Sequence, residues 1–343
     1  MPENPNDRDH MQLALREARK GIGLTSPNPP VGCVIAKGSR IIAKGYHRKA
    51  GGAHAEIEAM AKATPRQLKG ATAYVTLEPC STQGKTGPCS EALAEAGIAR
   101  VVFGAVDPNA AHAGRATRLL RRRGIEVADG VLGEECGDLL RPWAKFITTG
   151  LPWTVAKAGM SLDGRLTRPA GEGQWLTSEA ARADAQKLRA EVDAILIGAG
   201  TLRADDPSLT LRDKAALRRG VRQPLRVVSS RGGRLTKGAR LFTDAHRDRT
   251  LVYRGKTLRS VLKDLAGRHG CVSVLIEGGG VLLGEAFKRD LVDEACLYLA
   301  PMLCGDGGVP MLGAKLPASA QLVDPQLRKV GPDLRLRGLV EKR

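Results

Sequence analysis

Four residues within one stretch of 36 have the types and spacing to hold a metal ion and use it. His54 and Glu56 lie two apart in GGAHAEIEAM, while Cys80 and Cys89 bracket eight residues in AYVTLEPCSTQGKTGPC, each preceded by proline. Zinc takes thiolate sulfur and neutral imidazole in a tetrahedral array, and a catalytic zinc keeps one of its four positions for water. His54, Cys80 and Cys89 offer three ligands and leave that position open; a structural site would want a fourth, for which His47 is the nearest spare. Bound zinc lowers the pKa of water from about 16 towards 7. A carboxylate beside that water can take its proton and deliver it to a leaving group, which is the part Glu56 would play. Hydrolytic deamination needs this combination, and H-x-E followed by P-C and a second cysteine is the zinc-deaminase pattern. Nucleobase deaminases usually separate the two cysteines by two residues; here the separation is eight.

The elements that must position these residues can be read around them. His54 opens the helical run AHAEIEAMAKA and Cys89 opens CSEALAEAG. The positive end of a helix favours a thiolate at such a place. The strand-like TAYVTL delivers Cys80, and a proline before each cysteine fixes the direction of the chain into it. Taken singly, His54 reads equally well as a helix cap or core histidine, and Glu56 as a solvated helix residue. The four residues together carry the metal reading.

Around this motif the first 147 residues alternate helix-like and strand-like pieces. Met11, Ala14, Leu15 and Ala18 recur at helical spacing, and VGCVIA, KGSR and IIAKGY read as a hairpin. TAYVTL and RVVFGAV read as strands separated by helices, so the alternation predicts an α/β sandwich. TTGLP at 148–152 breaks the pattern and is the expected linker, giving domains at 1–147 and 148–343. The second series holds the helical SEAARADAQKLRAE and the strands AILIGAG, LRVVSS and VSVLIE. VSVLIE runs through Gly278, Gly279 and Gly280 into VLLGEAF, a strand, glycine turn and helix able to cradle a phosphate on backbone N–H groups. Leu283 stands where the last glycine of G-x-G-x-x-G would be, so an ordinary tight turn is the competing reading.

A chain of 343 residues exceeds one typical hydrophobic core and suits two. Its 42% hydrophobic and 26% charged residues exclude global disorder. The start MPENPNDRDH lacks the form of a signal peptide, and no apolar run approaches the ~20 residues that cross a bilayer. A cytoplasmic protein with no membrane partner is expected. The seven cysteines are an odd count that suits free, metal-bound or catalytic thiols. Cys33, Cys271 and Cys296 lie in apolar runs and read as core thiols, whereas Cys136 and Cys304 receive no role. Of the formal charge of +18, residues 218–263 hold 14 Lys or Arg against two Asp, a balance of +12. Such a field attracts phosphate, in a nucleic acid or a small ligand, or is simply a solvated face.

The run NPPVGCVIA, GYHRKAGGAHAEIEAM, ATAYVTLEPCSTQGKTGPC and GIARVVFGAVDPN resembles the deaminase half of the bifunctional deaminase/reductase family of riboflavin biosynthesis. KAGMSLDGR, GEGQWLTS, GAGTLRADDPSLTLR, LIEGGGVLLG, YLAPMLCG and KVGPDLRL follow the reductase half in order, so the match spans residues 9–340. The resemblance implies a cytidine-deaminase-like α/β/α sandwich followed by a dihydrofolate-reductase-like α/β domain. It implies zinc on His54, Cys80 and Cys89, Glu56 as proton shuttle, and Asn28 positioning the pyrimidine. It implies NADPH as the second cofactor, contacted by Gly159, Trp175, Thr201, Asp205 and Gly279, Gly280, Val281, Leu282, Leu283, Gly284 and Glu285. Gly173, Arg189, Leu209, Arg212 and Glu277 would contact the ribosyl phosphate substrate. A small pyrimidine ribosylamine phosphate is then the partner, with no nucleic acid, and a homo-oligomer is expected because such assemblies are usual in the family.

The chain departs from the family pattern at four places. Thr82 replaces a loop histidine and Gly87 a proline; Gly173 replaces a serine, removing a hydroxyl contact. Arg231 stands where a cofactor-binding serine is expected, and we expect it to meet the NADPH 2′-phosphate unless it is merely another surface charge. Three other readings remain. A nucleic-acid deaminase with a basic module fits the charge but not the cysteine spacing or the 3% aromatic content. A structural zinc clip would make Glu56 functionally silent, and a reductase disabled at Gly173 and Arg231 would leave the deaminase alone.

Overall fold

The β-branched, apolar runs of the first half form one sheet with helices laid against it. The computed structural model describes residues 5–82, 87–173, 175–232, 235–236 and 238–341. Outside the described residues lie 83–86 in the Cys80–Cys89 loop, Gln174 of the Gln-Trp pair, 233, 234 and 237 of the basic segment, and both chain ends. The chain divides into two compact units, Met1–Gly150 and Leu151–Arg343.

The first unit runs α1 (Asp7–Arg19), β1 (Gly32–Lys37), β2 (Arg40–Tyr46), α2 (Ala55–Met60), α3 (Pro65–Leu68), β3 (Thr72–Leu77), α4 (Cys89–Glu95), β4 (Arg100–Ala105), α5 (Arg115–Arg122), β5 (Glu126–Asp129) and α6 (Gly133–Thr149). Its five strands are ordered β2-β1-β3-β4-β5. The expected hairpin is β1 and β2, antiparallel, with a bulge between Ile35 and Ala36. β3 pairs antiparallel with β1 and parallel with β4, and β4 pairs parallel with β5. One apolar cluster includes Cys33, Ile35, Val75, Leu93 and Phe103. A second, with Met11, Ala14, Leu15 and Val34, packs α1 against the sheet.

The sequence gives no sign of α6, because Pro142 interrupts its pattern. The helix nevertheless continues to Thr149, beyond the expected boundary at 147. The hydroxyls of Thr148 and Thr149 donate to the carbonyls of Ala144 and Lys145, both at 2.7 Å, and a left-handed Gly150 (φ 66°) ends the helix. TTGLP is thus half helix.

The second unit runs β6 (Trp153–Ser161), α7 (Glu179–Glu191), β7 (Ala194–Gly198), α8 (Ala199–Asp205), α9 (Lys214–Arg218), β8 (Leu225–Ser230), α10 (Arg240–Thr243), β9 (Thr250–Arg254), α11 (Leu258–His269), β10 (Ser273–Ile276), α12 (Gly280–Lys288), β11 (Glu294–Ala300), β12 (Leu322–Val330) and β13 (Asp333–Val340). Its sheet is ordered β12-β13-β11-β6-β10-β7-β8-β9. Strands from β11 to β9 are parallel, and β13 and β12 add an antiparallel edge. The expected strand AILIGAG stops at Gly198, where α8 begins. Among the described residues, no helix is long and apolar enough to cross a membrane.

The first unit brings α2 onto β2 by leaving no side chain between them. A Cβ on Gly45 would lie 2.4 Å from both the Ala55 oxygen and the Ala59 nitrogen, all of it backbone that cannot step aside. Gly45→Ala should therefore push α2, and with it His54 and Glu56, off the sheet. Overpacking of this kind costs about 1–3 kcal/mol. The expected result is a lower melting temperature together with a reduced zinc content by elemental analysis; unchanged values of both would refute the close-packing role.

Candidate active sites

His54 is the N-cap of α2, in extended conformation, and Cys89 is the first residue of α4 behind Pro88. Cys80 follows β3 after the Leu77-Glu78-Pro79 run. The three come together: His54 Nδ1 lies 3.5 Å from Cys80 Sγ and 3.3 Å from Cys89 Sγ, and all three atoms are within 4.8 Å of one another. Ligands held 2.0–2.3 Å from a single tetrahedral zinc stand about 3.5 Å apart, so the trio fits that ion in both chemistry and spacing. The Cys89 backbone N–H donates to Cys80 Sγ at 3.2 Å, and Ser90 Oγ donates to the Cys80 carbonyl at 3.0 Å, fixing the two ends of the loop against each other.

Glu56, in the first turn of α2, is buried at 3% exposure. Loss of solvent and then the negative charge of Cys80 push its carboxyl up to about 7. The Cys80 thiol moves the other way, downwards, because Cys89 donates to it and His54 lies beside it, against the effect of burial. The site thus sets a raised carboxyl beside a sulfur whose ionisation is favoured. Asn28 places its amide nitrogen 3.1 Å from His47 Nε2.

Sequence reasoning missed Glu78. It is buried and accepts from the backbone N–H groups of Gly114 (2.9 Å), Ala116 (3.1 Å) and Asp107 (3.4 Å), tying the loop after β4 to the strand end that delivers Cys80. A glutamate next to a Pro-Cys motif was its only signal. Thr82 and Gly87 flank the undescribed part of the cysteine loop, Thr82 half-buried and Gly87 exposed.

The second unit holds a cleft of about 1540 Å³ at the carboxyl ends of β6, β7, β8 and β10. That is where ligands bind in open parallel sheets. Gly159, Trp175, Thr201 and Asp205 line it, as do Gly279, Gly280, Val281, Leu282 and Glu285. Thr201 Oγ1 accepts from the Gly279 N–H at 3.0 Å, joining the two loops. Trp175 is exposed, its ring stacked on the Arg182 guanidinium at 4.8 Å. Burial raises the Asp205 carboxyl.

Three expected contacts are not brought to the cleft. Leu283 points into the core and is fully buried, because that face of α12 packs beneath the sheet. Gly284 faces Ala314, whose nitrogen would lie 2.8 Å from a Cβ there. Gly173 is exposed, with φ 103°, and is not among the cleft walls.

Arg189, Leu209, Arg212 and Glu277 also line the cleft, but they are not equivalent. Arg189 is committed to Glu277 through a bidentate pair at 2.7 and 2.9 Å and donates to the Thr210 carbonyl at 3.0 Å. Burial would raise the Glu277 carboxyl, yet Arg189, with Lys157 and Arg212, outweighs it and holds the group at about 2. Among the described residues, the Arg212 guanidinium makes one hydrogen bond, a 3.4 Å contact to Ser208 Oγ. Leu209, buried with φ 50°, turns the chain between them. Lys157 was not anticipated; it lines the cleft from β6, its amine 5.9 Å from the Tyr298 ring centre. A lysine within the apolar TVAKAG was the signal.

Two family profiles match the chain. That of the cytidine and deoxycytidylate deaminase zinc-binding region covers residues 4–105, and that of the RibD C-terminal domain covers 152–336. The riboflavin biosynthesis protein RibD of Escherichia coli is 40% identical over 360 aligned positions, covering 96% of this chain and 98% of that one. A solved structure of Acinetobacter baumannii RibD superposes with a TM-score of 0.89 at 35% identity, covering 99% and 100% of the two chains. A Thermotoga maritima diaminohydroxyphosphoribosylaminopyrimidine deaminase/5-amino-6-(5-phosphoribosylamino)uracil reductase does so at 0.87 and 32%, covering 98% and 99%.

Glu56 supplies a stability test that needs no substrate. Its carboxyl is raised from the usual 4.5 to about 7, so burying it costs nothing below pH 4.5 and progressively more as pH rises towards 7. At 1.36 kcal/mol per unit the cost reaches about 3 kcal/mol above pH 7. In zinc-stripped protein, Glu56→Gln should melt above wild type at pH 8, with the gap closing near pH 4.5. A gap independent of pH in calorimetric scans would contradict the assigned burial.

Proposed function

Because the chain belongs to the RibD family, we propose that it acts on 2,5-diamino-6-ribosylamino-4(3H)-pyrimidinone 5′-phosphate, removing the 2-amino group in the first unit and reducing the ribosyl group to ribityl in the second. The enzyme is a bifunctional deaminase and reductase of riboflavin biosynthesis, using zinc and NADPH. The domain limits in this reading are those of the compact units, 1–150 and 151–343.

The observation that carries the deaminase assignment is a buried Glu56 beside three donor atoms spaced for one zinc. Zinc held by His54, Cys80 and Cys89 supplies the Lewis acidity that makes water a nucleophile near neutral pH. Glu56 would accept a proton from that water and pass it to the departing amino group, so that the water oxygen stays on the ring as the carbonyl, its other proton ends on the ring nitrogen, and the amine leaves as ammonia. Burial and the charge of Cys80 raise the Glu56 carboxyl in the metal-free site, so it is a stronger base there than a solvated glutamate. Asn28 positions the pyrimidine.

In the reductase unit NADPH supplies the hydride. Gly159, Trp175, Thr201, Asp205, Gly279, Gly280, Val281 and Leu282 form the cofactor wall. Arg212 has guanidinium donors to spare for the substrate 5′-phosphate, and the Arg189–Glu277 pair braces the wall beside it. Seven free thiols suit a reducing compartment, which supports the cytoplasm, and a homo-oligomer is part of the same reading.

Arg231 Nη2 lies 3.5 Å from Glu285 Oε2, with 77% of its side chain exposed. Such a pair contributes little, so Arg231 can exchange Glu285 for a cofactor phosphate. A hydrogen bond to a charged group contributes about 1.5–3 kcal/mol. Arg231→Ala should therefore reduce the NADPH-over-NADH preference in kcat/KM by about tenfold or more; an unchanged ratio would remove Arg231 from the cofactor site.

The whole reading is tested by NADPH absorbance after adding the undeaminated diaminopyrimidine phosphate to zinc-loaded protein, with Glu56→Ala in parallel. Oxidation by wild type and none by the variant is expected. Ammonia release without oxidation would leave a deaminase with a silent second unit. Glu56→Ala matching wild type would reduce the zinc to a structural clip.

A further inference from the structure

The sequence offered His47 only as a spare ligand, yet the structure gives both of its ring nitrogens work away from the metal trio. Its Nδ1 lies 2.9 Å from the carbonyl oxygen of Ala53, which can only accept, so Nδ1 carries the ring proton. The ring is 2% exposed, a place where a neutral imidazole with one proton belongs. Nε2 is then an acceptor. The group 3.1 Å away is the Asn28 carboxamide, and against an acceptor only its nitrogen can face the ring.

One consequence is fixed by covalent geometry. With Nδ2 turned to His47, the Asn28 oxygen points to the other side. The Asn28 N–H donates to the Thr25 carbonyl at 2.8 Å and the His47 N–H to the Val31 carbonyl at 2.9 Å, so both backbones are anchored. The imidazole of His47 also stands edge-on to that of His54, with ring centres 5.4 Å apart, which places the Asn28–His47 pair at the edge of the metal site.

We propose that His47 is a positioning residue: held by the Ala53 carbonyl, it locks the Asn28 amide so that its oxygen accepts from an N–H of the pyrimidine ring. This selects a ring that presents a donor at that edge, as a lactam or amino-substituted pyrimidine does. The proposal rests on Asn28 touching the substrate.

Two substitutions separate the roles of the two ring nitrogens. His47→Asn keeps an amide N–H where Nδ1 stands and loses the acceptor at Nε2; His47→Gln places an amide oxygen near Nε2. Deaminase kinetics are measured on the zinc-loaded full chain with the diaminopyrimidine ribosylamine phosphate, alongside Asn28→Leu and the double variant Asn28→Leu/His47→Asn, and zinc is counted in each. His47→Asn and Asn28→Leu should each raise KM by about five- to tenfold with a smaller change in kcat, the size of one neutral hydrogen bond. The double variant should be no worse than Asn28→Leu, His47→Gln should recover most of the affinity, and zinc should stay at one per chain. Additive losses in the double variant, loss of zinc in His47→Asn, or His47→Gln faring worse than His47→Asn would overturn the relay. Asn28→Leu with an unchanged KM would overturn the substrate contact itself, and the relay with it.

Discussion

A carboxylic acid shut away from water beside two sulfurs is the constraint around which the first unit is organised. Left to themselves, Glu56, Cys80 and Cys89 would concentrate negative charge in a dry place, and the carboxyl responds by rising to about 7. A divalent cation seated on His54 and the two sulfurs removes the conflict, because both thiols ionise onto it and the carboxylate beside it gains a counter-charge. Much of the surrounding architecture keeps that place dry and narrow. Gly45 lets α2 lie on β2, and Gly32 lets α1 approach β1 so closely that a Cβ would stand 2.0 Å from the Ala14 oxygen. Glu78 spends its own carboxylate on three backbone N–H groups, closing the loop after β4 over the same strand end.

The second unit solves the same problem in the opposite way. Glu277, part-buried in the wall of the cleft, is held at about 2 because the protein supplies the cation itself. Arg189 meets it through two parallel hydrogen bonds, the geometry that makes such pairs strong. Glu277 is therefore a fixed negative charge at physiological pH, unlike Glu56, whose value suits proton transfer. Environment rather than residue type divides the two glutamates into one that moves a proton and one that anchors a binding wall.

The deaminase trio was legible because its ligands are confined to 36 residues and their types are rare. No comparably local motif marks the reductase cleft. Its walls come from the ends of four strands, so beyond the Gly278–Gly280 turn and the basic segment its residues emerged only through resemblance to a family. Even then the sequence could not say which side of α12 faces the cleft. Leu283 and Gly284 lie in the same glycine-rich run as Gly279 and Leu282, and only packing turns them away, Leu283 into the core beneath the sheet and Gly284 against residues 313–314. The same limit hid α6, whose Pro142 reads as a break. Glu78 and Lys157 escaped, and His47 was read only as a spare ligand, because their partners are distant in sequence or are backbone atoms, which no spacing rule records.

Charge shows most clearly how position changes meaning. Residues 218–263 read as a basic field, but their members do different things. Arg226 is fully buried in β8, bonded to both oxygens of Asp244 and to the carbonyls of Ser208 and Leu241. It is an internal strut holding the turn that leads to Arg212. Arg231, Arg240 and Lys256 instead line the cleft, where the ligands of this family carry phosphates. A run of like charge is usually a solvated face. Here Arg226 is core, Arg231, Arg240 and Lys256 are binding wall, and most of the other described members are exposed surface, so one run of charge serves three ends. Arg231 and Arg240 keep 77% and 71% of their side chains exposed at the rim of that cleft, so they are free to meet a phosphorylated ligand entering it.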